Sequence, residues 1–293
     1  MDILKVIILS IIEGITEFLP VSSTGHLILA NEFIKLNPEK FSNAFSVIIQ
    51  FGAILSVVVV YFTKLNPLSI SKVEKEKIPA NYNKLNFQSK LYFLFKNYDK
   101  KTISLWIKVI VGVIPAFILG FLFDDLIDEY LFNPITVAFM LIFWGIIIIL
   151  IENRNAKKEN FKFNSMEDVD LKTSFLIGIF QCLAMIPGTS RSAATIIGAM
   201  LLGTNRKIAA DFSFFLAIPT MLGATLLKLI KNISGFSLNQ WALILFGSVI
   251  SFFVAYFVII KFLDYVKNHD FKIFGYYRII LSILVFIYFL VIK

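Results

Sequence analysis

Long apolar stretches alternate with short charged loops along most of this chain. A helix needs about 20 apolar residues to cross the hydrocarbon core of a bilayer, and six segments meet that length. They lie near residues 41–62, 102–122, 134–151, 209–230, 240–260 and 273–292. Asp211 stands at the start of the fourth segment, where we favour an N-cap over a role in a functional site. The pattern predicts an all-α polytopic membrane protein with a single membrane domain over 1–293.

Two more apolar segments, near 3–30 and 174–201, are each interrupted by a polar string. One string runs from Glu13 to His26 and the other from Pro187 to Thr195. Each contains a proline, which breaks the helical hydrogen-bond ladder, followed by small and hydroxyl residues. Irregular backbone at membrane depth is tolerated only where protein or a watery cavity surrounds it. We therefore expect each segment to form a re-entrant helix hairpin.

The two halves of the chain align with each other at low identity. Pro20 aligns with Pro187 and Ser23 with Ser190 at the same difference in residue number. Further along each half, the aligned residues differ by a smaller number. The change of offset assigns the extra residues of the first half to the lysine-rich loop 64–101. This alignment predicts an internal repeat.

Each copy of the repeat contains one hairpin plus three transmembrane helices. The first copy covers about 1–151 and the second about 174–293. Because three crossings separate equivalent points, the second copy is inverted relative to the first. One hairpin then enters from outside and the other from inside, so their tips should meet near the midplane, as in folds whose sites form at broken helices.

Composition and charge support a membrane protein over a soluble one. The chain is 58% hydrophobic with a mean hydropathy of +0.80, whereas soluble domains are about 45–50% apolar. The net charge of +8 is concentrated in loops beside the spans, which indicates membrane topology rather than a nucleic-acid partner. The single cysteine, Cys182, excludes an intramolecular disulfide and a cysteine-based metal cage.

The loop charges predict an orientation. Loop 64–101 contains nine lysines against three acidic residues, which predicts a cytoplasmic location. Loop 123–133 contains four acidic residues and no lysine or arginine, so we expect it outside. Loop 152–173 is rich in both signs, and its five basic residues fit the inside.

The first polar string brings two carboxylates into an apolar setting, where one charged side chain costs roughly 2.5–3.5 kcal/mol. Glu13 and Glu17 are four residues apart and share a helix face. Both stay ionised only if a positive group lies between them, and a hard cation such as Mg²⁺ or Ca²⁺ suits carboxylate oxygens. Two alternatives stay open: the pair lines a wet crevice, or one carboxyl is protonated.

The residues after Pro20 form a turn that presents hydroxyl and backbone N–H groups. Ser22, Ser23 and Thr24 supply the hydroxyls, and His26 follows them directly. An imidazole titrates near neutral pH, so a histidine at this depth suits proton transfer.

The second polar string has the composition of an anion site. A helix break at Gly188 and a helix start near Ser190 offer unpaired N–H groups and a positive dipole end. Arg191 adds a planar fork that matches phosphate oxygens, and Ser192 and Thr195 add hydroxyl donors. Alternatively, the arginine is a structural partner for the carboxylates of the first string, a role that is compatible with phosphate binding.

These two strings closely resemble the signatures of the bacterial undecaprenyl-diphosphate phosphatase family, the bacitracin-resistance type. The first reads EGITEFLPVSSTGHL over 13–27 and the second PGTSRSAAT over 187–195. A third segment, DFSFFLAIP over 211–219, is also similar, and the resemblance extends to the last span. Ala193 stands where the family often has glycine, and loop 64–101 looks like an elaboration.

The resemblance implies a membrane enzyme that hydrolyses undecaprenyl diphosphate to the monophosphate with a divalent cation. It implies a bacterial cytoplasmic membrane protein whose site opens to the outer face, where it regenerates the lipid carrier for cell-wall synthesis. By motif position, Glu13 and Glu17 would be the metal-binding or acid/base carboxylates. Ser23 would be the nucleophile with His26 as its proton-transfer partner, and Arg191 with Ser190 the diphosphate clamp.

Two other classes of function remain as alternatives. Inverted repeats with broken helices are also a transporter architecture, so a polyprenyl-phosphate flippase is the main one. A membrane scaffold without chemistry conflicts with the polar strings. The expected partners are a polyprenyl diphosphate substrate and membrane lipids, without nucleic acid, and homodimerisation is left open.

Overall fold

A computed structural model describes residues 2–289 with the exception of 75, 76, 80, 132, 157, 159, 233 and 234. The described part of the chain contains twelve α-helices, three short 3₁₀ segments and an isolated bridge between Phe163 and Thr204, with no strand. The helices are α1 Asp2–Thr16, α2 Ser23–Phe33, α3 Glu39–Val60, α4 Phe62–Leu65, α5 Phe87–Lys96, α6 Lys100–Leu131, α7 Pro134–Asn155, α8 Leu171–Cys182, α9 Arg191–Leu202, α10 Arg206–Asn232, α11 Leu238–Asn268 and α12 Lys272–Ile287.

Five of these helices are long and apolar enough to cross a membrane, which confirms a multi-pass membrane protein. The qualifying stretches are Glu39–Val60, Lys100–Gly120, Pro134–Asn155, Arg206–Ile230 and Leu238–Asn268. Their outer faces keep large apolar side chains exposed, as Ile110 and Phe117 of α6 show at 58% and 71% exposure. The sixth predicted span, 273–292, extends beyond the described residues, so it stays a prediction.

Two expectations from the sequence were wrong in detail. Residues 123–131, expected as a loop, continue α6 as helix, because the run contains no glycine or proline to end it. Asp211 is not an N-cap, because α10 begins at Arg206 after Asn205, whose side chain accepts a hydrogen bond from the N–H of Ile208. Asp211 instead lies buried inside α10 and binds other helices.

The partners of Asp211 come from the end of α3 and the residues after it. Tyr61 donates a hydrogen bond to Oδ1 at 2.5 Å, and Lys64 pairs with Oδ2 at 2.8 Å. A buried carboxylate with two such partners has its charge compensated and its oxygens satisfied. Asp211 therefore ties α10 to the end of α3 that leads into loop 64–101.

Small residues let the long helices approach closely, as is common where lipid removes the hydrophobic drive for helix association. A methyl group at Gly145 of α7 would lie 2.9 Å from the carbonyl oxygen of Gly275 in α12. A methyl group at Gly52 of α3 would overlap the carbonyl of Ser248 in α11. These contacts set the α7–α12 and α3–α11 pairs, around which the other helices pack.

Each predicted hairpin segment forms two short helices joined by a polar turn. Helices α1 and α2 contact each other, as do α8 and α9. A serine with a positive φ immediately precedes the second helix of each pair, with 75° at Ser22 and 74° at Ser190. Each serine side chain accepts a hydrogen bond from the backbone three residues later, which caps its helix. By this geometry Ser190 corresponds to Ser22, one position away from the alignment with Ser23.

The start of the second hairpin is also capped by a side chain. Asp170 accepts a hydrogen bond from the N–H of Thr173 at 2.6 Å, at the first turn of α8. The hydrogen bonds from Thr173 hold the pKa of this exposed carboxyl below its usual value. The carboxylate form therefore stabilises the helix start.

Candidate active site

The two polar turns meet inside the bundle, although more than 160 residues separate them in sequence. The Ser192 hydroxyl donates a hydrogen bond to the carbonyl oxygen of Leu19 at 2.8 Å. The Arg191 guanidinium reaches Glu17 with 3.2 Å between Nη2 and Oε1. The start of α9 therefore lies directly against the turn that follows α1.

Glu17 connects the hydroxyl of the first turn to the arginine of the second. Its Oε2 accepts a hydrogen bond from the Ser23 hydroxyl at 2.5 Å, while Oε1 faces Arg191. Nη1 of the arginine donates to the carbonyl oxygen of Ser213 on α10 at 3.0 Å, which fixes the fork. A short O–H···O⁻ bond is strongly charge-assisted. The carboxylate of Glu17 is thus in place to accept the proton of Ser23.

Glu13 lies one helical turn before Glu17, and its side chain is fully buried. The two are linked by the 3.0 Å backbone hydrogen bond from the Glu17 N–H to the Glu13 carbonyl oxygen. Neither carboxylate oxygen of Glu13 has a hydrogen-bond partner among the described residues. A buried carboxylate without a partner is costly, so this position fits a positive ligand.

The donor set around Glu13 limits which ion would fit. Within the described ranges, no group of three or more His, Cys, Asp and Glu side chains converges on one point. Two carboxylates with neighbouring hydroxyls suit a hard cation that keeps several waters or phosphate oxygens, as Mg²⁺ does, and not a soft metal.

Unpaired donors lie on the other side of Glu17, at the start of α9. Nε of Arg191 and the hydroxyl of the fully buried Thr189 both lack a hydrogen-bond partner in the described structure. The half-buried Ser190 hydroxyl contacts Ser192 at 3.0 Å. Together with the N-terminal N–H groups of α9, these donors can bind an anion. Thr189 was not predicted from the sequence, although it lies within the second polar string.

The side chains of three other predicted phosphate ligands, Thr195, Ser192 and Ser22, make hydrogen bonds within the protein. The Thr195 hydroxyl donates to the Arg191 carbonyl oxygen at 2.8 Å and contacts the Ser213 hydroxyl at 2.6 Å. Ser192 is bound to the first turn, and the Ser22 side chain caps α2. Thr24 is partly buried and lies in the first turn of α2.

His26 lies beside the serine–carboxylate pair but is bound elsewhere. Its Nδ1 is 2.7 Å from the carbonyl oxygen of Ser22, and its Nε2 is 2.6 Å from the hydroxyl of Tyr277 on α12. A carbonyl oxygen only accepts, so Nδ1 carries a proton; in the neutral ring Nε2 then accepts a hydrogen bond from the hydroxyl of Tyr277. In the structure the Ser23 hydroxyl is bound to Glu17, and neither ring nitrogen of His26 is bound to Ser23 or Glu17 in the described part of the chain.

The sequence matches the family described as bacitracin resistance protein BacA over residues 6–284. The chain belongs to this BacA family. It is 51% identical over 290 residues to the undecaprenyl-diphosphatase 1 of Clostridioides difficile strain 630, covering 99% of this chain and 97% of that protein. It is 48% identical to the undecaprenyl-diphosphatase of Enterococcus faecalis, covering 97% and 96% respectively. The corresponding protein of Acetivibrio thermocellus is 46% identical over 294 residues, the full length of both chains.

This BacA-family protein has one further buried residue at the junction of the turns, which sequence reasoning missed. Arg278 of α12 is fully buried, and its guanidinium donates only to backbone carbonyl oxygens. Nη1 reaches Pro20 of the first turn at 3.2 Å, whereas Nη2 reaches Gly188 at 2.6 Å and Thr189 at 3.0 Å in the second. Two longer contacts go to the carbonyls of residues 140 and 141 in α7. Arg278 therefore joins both turns to the α7–α12 pair.

The backbone of the second turn explains why a glycine is needed beside Arg278. Gly188 has a φ of +91°, which residues with a side chain rarely adopt. A methyl group there would also lie 2.6 Å from the carbonyl oxygen of Val137. In this BacA-family chain Gly188 thus shapes the turn that presents Thr189 and Ser190, and its carbonyl binds protein.

Proposed function

We propose that this protein hydrolyses undecaprenyl diphosphate to undecaprenyl phosphate and inorganic phosphate. The reaction recycles the lipid carrier for cell-wall synthesis and confers resistance to bacitracin. The observation that carries the proposal is the Ser23 hydroxyl bound to Glu17, with Arg191 on the other oxygen of the same carboxylate. Phosphoryl transfer requires a nucleophilic hydroxyl, a base, and hydrogen-bond donors that are available to bind the phosphate.

The first step places Ser23 as the nucleophile. Its oxygen attacks the terminal phosphorus while Glu17 takes the hydroxyl proton, and the bond from that phosphorus to the bridging oxygen breaks. Undecaprenyl phosphate leaves, and a phosphoserine remains on the protein. Glu17 then releases the proton it took, so that it is again a carboxylate when water attacks the phosphoserine. Glu17 takes a proton from this water and returns it to the Ser23 oxygen as the bond from phosphorus to that oxygen breaks, which releases inorganic phosphate and restores the hydroxyl. Direct attack by water is the alternative, and trapping of phosphoserine separates the two.

The transferred phosphoryl group binds at the start of α9. Nε of Arg191, the Thr189 hydroxyl and the Ser190 hydroxyl are donors that point to this role, because the first two lack partners in the described structure. When the diphosphate binds, Arg191 is shared between Glu17 and phosphate oxygens. Charge that develops in transfer is then met by a fixed guanidinium and a helix N-terminus.

Glu13 and Glu17 would hold the divalent cation, Mg²⁺ or Ca²⁺. The uncompensated, buried carboxylate of Glu13 supports this assignment. When bound, the ion supplies Lewis-acid neutralisation of phosphate oxygens. Glu13, Glu17 and Ser23 are all buried, so bulk water has little access to the Ser23 hydroxyl.

His26 would move protons at the edge of the site. Its Nδ1–H donates a hydrogen bond to the Ser22 carbonyl oxygen, so that proton is held in place. Only Nε2 can exchange a proton, and its partner is the hydroxyl of Tyr277. Proton transfer to the departing phosphate therefore requires that this hydroxyl moves or takes part.

The architecture that fits this site is an inverted repeat in one membrane domain. The α1–α2 hairpin would enter the bacterial cytoplasmic membrane from the outside and the α8–α9 hairpin from the cytoplasm, so that the site opens to the outer face. The matching turns at Ser22 and Ser190 support this arrangement, as does the packing of α1 on α11 and of α8 on α6, which are equivalent pairs in the repeat.

The test is phosphate release by purified protein from undecaprenyl or farnesyl diphosphate with Mg²⁺, with Ca²⁺ or with EDTA. Wild type is compared with Ser23→Ala, His26→Ala and Arg191→Ala, each first shown to be folded. We expect cation-dependent release that falls by at least about 10²-fold in the Ser23 and Arg191 variants. If the wild-type protein released no more phosphate than the variants, the proposal would be overturned. Movement of the lipid across the bilayer without phosphate release would indicate a flippase.

A further inference from the structure

Helix α5 leaves an apolar face uncovered in the loop between α3 and α6. The helix is described in full over Phe87–Lys96, and none of its residues is buried. Phe87, Leu91 and Phe95 are spaced by four residues and therefore line one face. They are 78%, 38% and 58% exposed, and Tyr92 beside them is 71% exposed.

The opposite face of α5 rests on its own loop. The ring of Phe93 contacts that of Tyr82 edge-on with 5.3 Å between centroids, and Lys90 lies over the same tyrosine ring. Asn86 caps the helix start by accepting a hydrogen bond from the N–H of Ser89 at 2.8 Å. The helix is thus a formed, amphipathic element with a supported side and an open side.

The base of the loop is fixed beside two membrane spans. The N–H of Asp99 donates to the carbonyl oxygen of Pro67 at 2.9 Å, and the Trp106 indole donates to the Leu65 carbonyl oxygen at 2.9 Å. Only three residues separate the end of α5 from the start of α6 at Lys100. Because the stretch of α6 that is long and apolar enough to cross a membrane begins at Lys100, this short connection keeps α5 close to the end of that span.

The charge around α5 selects the lipids. Lys84, Lys96, Lys100 and Lys101 are exposed and make none of the salt bridges found between described residues. The whole loop carries nine lysines against three acidic residues. An amphipathic helix with aromatic side chains on one face and lysines around it binds anionic membrane surfaces.

We propose that α5 docks on the membrane surface at which α3 ends and α6 begins, with its apolar face among the acyl chains and its lysines on anionic phospholipid headgroups. The occupant of the exposed face is thus the leaflet itself. The proposal is independent of the phosphatase reaction, because neither Glu17 nor Ser23 takes part in it. It gives the lysine-rich loop a role as a second, lipid-sensitive anchor.

The experiment places a fluorescent probe on each face of α5 in the full-length protein. Leu91→Cys carries the probe on the apolar face and Ser89→Cys on the opposite face, both in a Cys182→Ala background. Each protein is reconstituted into nanodiscs of phosphatidylcholine alone or with added phosphatidylglycerol, with a headgroup-level spin-label quencher. We expect a blue shift and quenching at position 91 but not at 89, strengthened by phosphatidylglycerol and weakened by salt.

The lysine contribution is tested by Lys84→Gln and Lys96→Gln in the Leu91→Cys protein. Each substitution should lower the ratio of docked to undocked probe roughly fivefold in phosphatidylglycerol discs, and have little effect in phosphatidylcholine discs. Equal, water-like emission at 91 and 89 in both lipids would overturn the proposal. A blue shift that disappears when discs contain a single protomer would also overturn it, since a second copy would then cover the face.

Discussion

Replacing Arg278 with lysine should unfold the junction of the two turns while a matched change at Arg191 should not. Both arginines lie at the turns, Arg278 fully buried and Arg191 partly buried, but their partners differ in kind. Arg278 donates only to backbone carbonyls that belong to three separate segments. Arg191 pairs with one carboxylate and one carbonyl oxygen, which an ammonium group can still reach in part.

The size of the effect follows from the number of carbonyls that lysine cannot reach. The guanidinium of Arg278 directs Nη1 to Pro20, Nε to Leu141 and Nη2 to the second turn. A single ammonium group can occupy only one of these three directions, so at least two charged hydrogen bonds are lost. At about 1.5 kcal/mol each, the loss is about 3 kcal/mol, close to a 150-fold change in the folding equilibrium.

The assay is unfolding of purified protein in mixed micelles with increasing SDS, followed by tryptophan fluorescence. Arg278→Lys should unfold at a clearly lower SDS fraction than wild type. Arg191→Lys should unfold near the wild-type fraction and lose phosphate release. If Arg278→Lys kept the wild-type unfolding curve and lost only activity, the arginine would act on substrate, and our reasoning would be refuted.

Three further predictions concern single groups. Tyr277→Phe should lower kcat about tenfold and change the pH–rate profile. This decrease is smaller than the roughly 10²–10⁴-fold decrease expected when an acid/base group is lost. The control, Tyr276→Phe, changes a neighbouring exposed side chain and should alter neither kcat nor the profile. Asp170→Ala should cost about 1 kcal/mol in SDS unfolding at neutral pH. Because the folded-state pKa is lowered, that difference is complete above about pH 4 and should disappear in strong acid. Gly52→Ala should cost about 1–3 kcal/mol in the same assay, whereas Gly223→Ala, which faces open space, should not.

Short stretches of sequence determine much of this fold. Apolar length predicted the five long helices and their starts to within three residues, because a span must satisfy its own backbone in lipid and needs a set length to do so. Helices α6 and α11 continue eight or nine residues past the predicted ends, at residues 131 and 268. The breaks at Pro20 and Gly188 were also predictable, since proline and glycine act locally. The run 123–131 was misassigned as a loop because acidic residues predict a side of the membrane and do not end a helix.

The family could likewise be inferred from the polar strings alone, and a charged residue in an apolar span is the signal that found them. The same signal was present at Arg278 in the last span and was overlooked, because a single arginine near a span end also reads as an anchor.

The partners of each polar group were decided only by the tertiary structure. Glu17 binds Ser23 within one turn, but its second partner, Arg191, comes from the other half of the chain. His26 was expected beside Ser23, and the fold gives it Tyr277, 251 residues away. Sequence spacing determines which side chains share a helix face, whereas contacts between distant segments depend on how whole helices pack. The residue types of the site could therefore be predicted from the sequence, whereas their hydrogen-bond and ion-pair partners could not.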